Sequence, residues 1–184
     1  ASVQNEMLNV HCLHEMGYWG DGVTIAVIDG GFLNVDSIRV LQDCKILGTR
    51  NFVDAEESVY AEMQDHGTMV LSCIAVNQAN VYVGTAPGAS FYLLQSEDTS
   101  SEQLVEEDNW CAAVEYADSL GVDIVTSSLG YYHFDDPEMS HKYVEQDGKT
   151  AINSRSASLA ASRGLLLLNS AGNEGNDAWK KIGF

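Results

Sequence analysis

Three polar residues, each beside glycines and an apolar run, have the side-chain types and the order that acid–base catalysis needs. Asp29 follows the apolar run 23–28, His66 precedes a glycine and a second apolar run, and Asn173 lies in the glycine-containing segment 169–175. An aspartate can orient an imidazole and stabilise its protonated form, while a histidine transfers protons near neutral pH. An amide NH₂ can donate to a developing oxyanion. The three residues together predict a general base, its orienting carboxylate and an oxyanion donor.

Each of these residues also has a structural interpretation. An aspartate before glycines is common in turns and caps, a histidine at a helix start can be structural, and an asparagine tolerates left-handed turns. The combination, in one order and beside apolar elements, is what favours catalysis. The remaining histidines lack such surroundings and are expected to be surface or structural residues: His11, His14, His133 and His141.

The elements that must position these residues alternate between strands and helices. Apolar periodicity and glycine positions predict strands at 23–28, 90–95, 122–127 and 165–168, and helices at 3–16, 68–76, about 102–120 and 150–163, with a long loop at 131–148. The expected fold is α/β, a mostly parallel sheet flanked by helices, built as one domain over residues 1–184. Asp29, Ser128 and Asn173 follow predicted strands, and sites in such sheets form at the carboxyl ends of strands.

Composition excludes several classes of partner. The chain has 184 residues and a formal net charge of −18, which disfavours binding to nucleic acid and to anionic membrane surfaces. No run approaches the ~20 apolar residues that span a bilayer, and the N-terminal residues do not resemble a leader. The four cysteines show no C-x-x-C spacing. They are expected to be buried as small apolar residues, although an even number also permits one or two disulfides.

The segment Ser128-Leu129-Gly130 follows the third predicted strand. Its backbone could pair with an extended peptide as an added strand; the alternative is an ordinary exit from strand to loop. An unrelated nucleotide-binding α/β protein is excluded on motif, because Gly30-Gly31 after the first strand is not G-x-G-x-x-G and no P-loop is present.

Five blocks in a fixed order resemble the subtilisin-like serine proteases, the subtilases. They are residues 24–29, His66-Gly67-Thr68, residues 84–89, Ser128-Leu129-Gly130 and residues 169–175. The resemblance spans residue 17 to the C-terminus, and subtilisin itself is the reference case for the order aspartate, histidine, serine.

The resemblance implies a role for each matched residue. Asp29 and His66 would be two members of a catalytic triad, and Asn173 would be the side-chain donor to the oxyanion. Two short segments would line the walls that hold the residue before the scissile bond: Ser128, Leu129 and Gly130 on one side, and Ser170, Ala171 and Gly172 on the other.

The nucleophile of the family has no counterpart here. No Gly-Thr-Ser-Met-Ala-like block occurs, and the serines at 72, 96, 158, 162 and 170 stand in other contexts. The chain is therefore expected to be about two thirds of a subtilase domain, C-terminally truncated, with the serine outside it. Two smaller departures are Gly30 after the aspartate, where many relatives have a hydroxyl residue, and Met69, where many have a second histidine.

The expected function is that of a subtilisin-type serine endopeptidase acting by acyl transfer; the alternative is a non-catalytic, peptide-binding pseudo-protease. The expected partners are a peptide or protein substrate, the C-terminal remainder of the domain in cis or in trans, and a second copy through an uncovered sheet edge. By family habit the protein is expected to be secreted, periplasmic or at the cell surface. No cofactor or metal site is expected, although Asp54, Glu56, Glu57, Asp135 and Asp136 are oxygen donors of the kind that calcium binds.

Overall fold

A computed structural model describes residues 2–61 and 63–176 of the chain. The helices are α1 (Ser2–Met7), α2 (Val10–Glu15), α3 (His66–Ala75), α4 (Val105–Ser119) and α5 (Ile152–Ser162). The strands are β1 (Thr24–Asp29), β2 (Lys45–Asn51), β3 (Asn77–Gln78), β4 (Tyr82–Val83), β5 (Ser90–Gln95), β6 (Ile124–Ser127) and β7 (Leu166–Asn169).

Five of the strands form one parallel sheet in the order β2-β5-β1-β6-β7. The register brings the carboxyl ends of the strands level, because Asp29 is opposite Gln95 and Ser127 is opposite Asn169. The predicted α/β fold with a parallel sheet flanked by helices is confirmed. The edge at which the strands end is therefore the place where their following residues meet.

The central strand β1 is buried on both faces, which explains its nearly continuous apolar sequence. Ile25 and Val27 belong to a core cluster that contains Leu71 of α3. Ala26 and Ile28 belong to the cluster on the opposite face, which includes residues of α4 and α5. Helices therefore cover both faces of β1, and Asp29 emerges from the middle of the molecule.

Trp110 of α4 connects the helical layer to the sheet. Its ring is 4% exposed and its Nε1 donates to Ser127 Oγ at 3.0 Å. A buried indole N–H needs such a partner. The bond fixes the position of the end of β6, immediately before Ser128, relative to α4.

Three expectations about elements were wrong in detail. Residues 3–16 form two short helices rather than one, because Asn9 adopts a left-handed conformation with φ of 57°. The edge strand β2 and the antiparallel hairpin β3–β4 were not expected. Helix α4 begins at Val105, about three residues later than its sequence suggests.

The cysteines also differ from expectation. Cys12 and Cys73 are exposed, Cys44 and Cys111 are half-buried, and all four thiols are free. Burial raises the pKa of the Cys44 thiol to about 11. Among the residues that the structure describes, no helix is long and apolar enough to cross a membrane.

Candidate active site

Asp29 and His66 are brought together at the carboxyl end of β1. His66 is the first residue of α3, and its Nδ1 lies 2.8 Å from Asp29 Oδ1 and 3.0 Å from Oδ2. Asp29 is 1% exposed, whereas the His66 side chain is 45% exposed. The aspartate can therefore fix the ring from the buried side while the rest of the imidazole remains open to a reactant.

The buried carboxyl group is held by its neighbours. Burial raises the pKa of Asp29, and the hydrogen bond and charge of His66 oppose that rise, as does the Gly30 N–H, which donates to Oδ1 at 2.9 Å. A buried carboxyl group without such donors would be costly. The site thus contains a carboxylate whose partner is the histidine that it orients.

A glycine permits the close approach of α3 to β1. A Cβ on Gly67 would lie 2.3 Å from the carbonyl oxygen of Gly31 and 2.9 Å from Asp29 Cβ. Gly31 itself has φ of 144°, a value that favours glycine. The close contact explains Gly67 beside His66, and the backbone conformation explains Gly31 near Asp29.

A cavity of about 210 Å³ opens beside the pair. Its lining includes Asp29, His66 and Leu129, and its acidic members are Glu97, Asp98, Glu102 and Glu106. Glu102 also lines a larger groove of about 670 Å³ between residues 102–105 and 134–139. The small cavity and the groove therefore adjoin, and together they extend away from His66.

Two carboxyl groups of this cavity have pKa values that are raised to near neutrality. Burial raises the pKa of Glu97 to about 7, against hydrogen bonds from Ser96 and Tyr131. Burial and the charge of Glu97 raise the pKa of Glu106 to about 7. Glu106 also accepts from the N–H groups of Asp98 and Gln103, both at 3.1 Å, so it shapes the loop that follows β5.

The segment Ser128-Leu129-Gly130 follows β6 and flanks the same cavity through Leu129. The Leu129 carbonyl accepts from Asn169 Nδ2 at 3.2 Å and from Ser170 Oγ at 3.5 Å. Within the described residues, the backbone groups of Ser128 and Gly130 have no hydrogen-bond partner. They are available to a peptide that binds alongside.

The segment Ser170-Ala171-Gly172 follows β7 and turns at Gly172, whose φ is 78°. Ala171, Gly172 and Asn173 are exposed, and the Gly172 N–H donates to Ser170 Oγ at 3.2 Å. The hydrogen bonds of Ser170 and Asn169 to Leu129 join the two predicted wall segments. Asn173 lies at the same edge of the sheet as Asp29, but no hydrogen bond connects it to Asp29 or His66.

No serine lines the cavity beside His66 in the part of the chain that the structure describes. Ser72 donates to the carbonyl of Met69 on α3, and Ser96 is buried and donates to Glu97. Ser158 and Ser162 lie on α5, and Ser170 contacts Leu129. Their positions agree with their unsuitable sequence contexts.

Three of the acidic residues considered for calcium accept hydrogen bonds from backbone N–H groups, Asp54 and Asp136 within local turns and Asp135 across to the start of another loop. Asp54 accepts from the N–H of Glu56, Asp135 from that of Glu102, and Asp136 from that of Glu138. Glu57 N–H donates to the Asp54 carbonyl. Over residues 2–61 and 63–176, no group of three or more histidine, cysteine or acidic side chains is arranged to hold a metal ion.

Sequence reasoning missed several residues of the site. Glu97 lines the cavity beside the Asp29–His66 pair and accepts a hydrogen bond from Tyr131, while Asn169 donates to the Leu129 carbonyl. Asn169 ends β7, while Glu97 and Tyr131 lie within a few residues of the ends of β5 and β6. The rule that selected Asp29 and Ser128, polar residues after parallel strands, would also have pointed to Asn169 and Glu97 had it been applied to every strand, but not to Tyr131 or to its pairing with Glu97.

A parallel α/β sheet with a buried aspartate that orients a half-exposed histidine defines an acid–base site of the hydrolase type. The model of the subtilase family matches residues 20–182. The chain belongs to the subtilase family.

Curated relatives extend this result. Subtilisin E of Bacillus subtilis (strain 168) is 33% identical over 167 residues, which cover 89% of this chain and 38% of the relative. A subtilisin of Bacillus pumilus is 32% identical over 89% of this chain and 52% of the relative. The thermostable alkaline protease of Halalkalibacterium halodurans is 27% identical over 91% of this chain and 40% of its own length. The chain thus spans between about two fifths and one half of these relatives.

Solved structures share the fold. MycP1 with its N-terminal propeptide removed has a TM-score of 0.68 and 20% identity, covering 97% of this chain and 56% of its own. The prenylagaramide maturation protease PagA has a TM-score of 0.65 and 17% identity, covering 90% of this chain and 51% of its own.

Proposed function

We propose that this chain supplies the acid–base pair and the substrate-binding walls of a subtilisin-type serine endopeptidase. The observation that carries the proposal is the hydrogen bonding of the Asp29 carboxylate to His66 Nδ1, at 2.8 and 3.0 Å, in a cavity at the carboxyl edge of the sheet. In that arrangement His66 Nε2 is the atom available to a nucleophile.

The mechanism is acyl transfer to a serine that lies outside the described residues. His66 Nε2 takes the proton as the serine oxygen attacks the peptide carbonyl, and Asp29 stabilises the resulting imidazolium. The side-chain amide of Asn173 donates a hydrogen bond that stabilises the negative charge on the carbonyl oxygen. His66 then gives its proton to the leaving amine, and a water molecule activated by the same ring releases the acid and regenerates the serine.

The substrate binds as an extended strand. The unpaired backbone groups of Ser128 and Gly130 form one wall, and peptide recognition by added strands uses such groups. Ser170, Ala171 and Gly172 form the opposite wall, close enough to be joined to the first through Leu129. The adjoining groove along residues 134–139 accommodates the residues that precede the scissile bond.

The C-terminal remainder of the domain completes the site. It covers β7, whose Leu166 and Leu168 are 53% and 52% exposed, and brings the serine towards His66. The remainder is attached in cis or supplied in trans. Without it, the uncovered β7 edge favours self-association and low stability of residues 1–184.

The remaining expectations about the whole protein are part of the same proposal. Secretion, or exposure at the cell surface or in the periplasm, follows the habit of the family. The excess of acidic residues supports a protein that binds neither nucleic acid nor anionic membranes. Catalysis by an aspartate, a histidine and a serine needs no cofactor.

A second candidate is a pseudo-protease that binds extended peptides without cleaving them. It is favoured by the unpaired backbone of Ser128 and Gly130 and by the absence of a serine from the cavity lining in the described residues. The buried pairing of Asp29 with His66 speaks against it, because peptide binding alone does not need an oriented imidazole.

Labelling with a fluorophosphonate probe distinguishes the two candidates. Residues 1–184 and the parent protein that contains them are treated with the probe, with a His66→Ala variant of the parent as control. Labelling of the parent alone, lost in His66→Ala, supports the protease. Peptide binding without labelling of the parent supports the pseudo-protease and contradicts the protease.

A further inference from the structure

The substrate-binding segment Ser128–Gly130 is held at three points by three different elements. Before it, Ser127 Oγ accepts from Trp110 of α4 at 3.0 Å. In its middle, the Leu129 carbonyl accepts from Asn169 at 3.2 Å. After it, Tyr131 Oη donates to Glu97 Oε1 at 2.5 Å. The third point is the one whose acceptor is a titratable acid.

Glu97 lines the same cavity as Asp29, His66 and Leu129. It lies two residues beyond β5, is half-buried, and accepts from Ser96 Oγ at 2.6 Å and from Tyr131 Oη on the same oxygen. Tyr131 is 4% exposed. The bond therefore joins the exit of β5 to the exit of β6, across the strand β1 that carries Asp29.

We infer that Glu97 is a positioning residue that holds the substrate-binding segment in register with the Asp29–His66 pair through Tyr131. The inference rests on the proposed function, because the register matters only for a peptide that must reach His66. Glu97 itself has no role in bond cleavage here. Its effect is on the hydrolysis of extended peptides and not on that of substrates too short to contact Ser128 and Gly130.

The local backbone explains why this tether is needed. Gly130 separates Leu129 from Tyr131, and a residue without a Cβ restricts the backbone least. With Gly130 free of backbone hydrogen bonds in the described structure, Tyr131 is the next fixed point along the chain. Loss of its hydroxyl would remove one hydrogen bond to the Glu97 carboxyl group. The segment would then be fixed at Ser127 and Leu129 but not beyond Gly130.

The strength of the tether depends on the charge of Glu97. Hydrogen bonds to an ionised carboxylate are about twice as strong as those to a neutral group. Burial raises the pKa of Glu97 to about 7, so the carboxylate is formed across the neutral range. The other groups that face this region are Asp29 and His66 at the sheet edge, Asp98 and Glu102 in the loop, Glu106 on α4 and the Tyr131 hydroxyl. The tether is expected to strengthen as pH rises from 5.5 to 8.

The test uses the parent protein with two substrates: a blocked, uncharged peptide long enough to lie along Ser128–Gly130, and a single-residue ester. The measured quantity is the ratio of kcat/KM for the peptide to kcat/KM for the ester. Because both reactions use the same Asp29–His66 pair and the same serine, changes in these groups affect both kcat/KM values alike and cancel in the ratio. The uncharged peptide removes direct attraction to Asp98 and Glu102.

Tyr131→Phe is expected to lower this ratio about fivefold to tenfold, through KM for the peptide, as loss of one hydrogen bond of about 1 kcal/mol predicts. Glu97→Gln keeps an acceptor for the Tyr131 hydroxyl, so it should retain most of the ratio but lose its rise with pH. Tyr116→Phe makes the same change on a ring that packs against Phe52 and Arg50, and should leave the ratio unchanged.

An equal loss for both substrates in Tyr131→Phe, or an unchanged pH dependence in Glu97→Gln, would overturn the inference. If the wild-type parent hydrolyses neither substrate and is not labelled by a fluorophosphonate, the proposed function has failed instead. The tether is then measured by fluorescence polarisation of the labelled peptide. Weaker binding to Tyr131→Phe than to wild type upholds it, and equal binding overturns it.

Discussion

The two outermost strands of the parallel sheet, β2 and β7, form lateral edges with different features. Edge strand β2 carries Lys45 and Arg50 and has an irregular register between Ile46 and Gly48. Charges and irregular pairing are the features by which natural edges resist pairing with another strand. Edge strand β7 has the sequence Leu-Leu-Leu-Asn, with no charge and a regular register to β6.

This difference shows which edge is suited to further pairing. Leu47 of β2 and Leu168 of β7 are almost equally exposed, 53% and 52%, so exposure alone does not separate the edges. The neighbouring residues separate them, because β2 has charges and an irregular register that oppose pairing with another strand and β7 has neither. The Asp29–His66 pair lies at the end of the central strand β1, whereas the exposed Asn173 follows the edge strand β7. In the proposed site the Asp29–His66 pair is therefore the assembled half, and Asn173, which has no hydrogen bond to that pair, is the exposed half.

The largest expected effect concerns the assembled half. In the parent protein, His66→Ala should lower kcat by about 10⁶-fold, a magnitude known from the same role in subtilisin itself. The exposed His11→Ala serves as the matched control and should leave kcat unchanged. Steady-state hydrolysis of a peptide substrate measures both, and a loss below about tenfold would remove His66 from the mechanism.

The next effect tests the exposed half. Asn173→Ala should lower kcat of the parent by about 10²–10³-fold, again a value that comes from subtilisin, where the side chain donates to the oxyanion. Stability should not change, since Asn173 is exposed and makes no hydrogen bond in the described structure. Asn176→Ala, in the same turn, is the control. Comparable losses in both variants would indicate damage to the turn rather than loss of the donor.

The edges themselves can be compared by one substitution made twice. In the parent protein, Leu168→Lys should lower the free energy of unfolding by about 3 kcal/mol, since an unpaired charge would be buried under the cover. Leu47→Lys should cost less than about 0.5 kcal/mol. In residues 1–184 alone both changes should cost little, and Leu168→Lys should reduce self-association. Urea denaturation and sedimentation measure these effects. Equal costs in the parent would abolish the distinction between the edges.

A smaller effect compares the packing at two glycines, Gly67 beside His66 and Gly175 near Asn173. Gly67→Ala places a Cβ against the Gly31 carbonyl and should destabilise the chain by about 1–3 kcal/mol. Gly175→Ala, beside Asn173, meets nothing within 4 Å and should be neutral. Chemical denaturation compares the two variants. A neutral Gly67→Ala would mean that α3 can withdraw from β1 without cost.

The buried strands could be predicted from the sequence because their pattern is imposed by the fold itself. Strands β1, β5 and β6 are covered on one or both faces, so apolar, β-branched runs identify them. Strand β2 escaped prediction because the features that protect its edge, Lys45 and Arg50 among apolar residues, also obscure the run. Asn9 divides the first helix by a left-handed conformation that no periodicity reveals.

Site residues could be predicted where they lie in short sequence motifs that resemble those of the family, as Asp29 and His66 do. Contacts that depend on tertiary packing could not be predicted in this way. The pairing of Glu97 with Tyr131 joins residues 34 positions apart through the exits of two strands, and neither residue lies in a matched block. Such contacts follow from sheet order, which places β5 and β6 on either side of β1.

The last expected effect depends on pH and links this contact to stability. Because the folded pKa of Glu97 is about 7, above the ordinary value of 4.5, the folded chain binds a proton that the unfolded chain releases between those pH values. Stability from this group is therefore present below pH 4.5 and is lost as pH rises through 7. Glu97→Gln should lie within about 1 kcal/mol of wild type near pH 5 and exceed its free energy of unfolding by about 2–3 kcal/mol at pH 8.

Urea denaturation of both proteins at the two pH values makes this measurement, and a constant difference between them would show that Glu97 does not titrate in this range. The sign is opposite to that expected for peptide hydrolysis. Deprotonation strengthens the bond from Tyr131 but places a charge near Asp29 and Glu102, with no basic side chain paired to Glu97 in the described residues. The acidic lining of the cavity thus loses stability over the same pH range in which the hydrogen bond between Tyr131 and Glu97 is expected to be strongest.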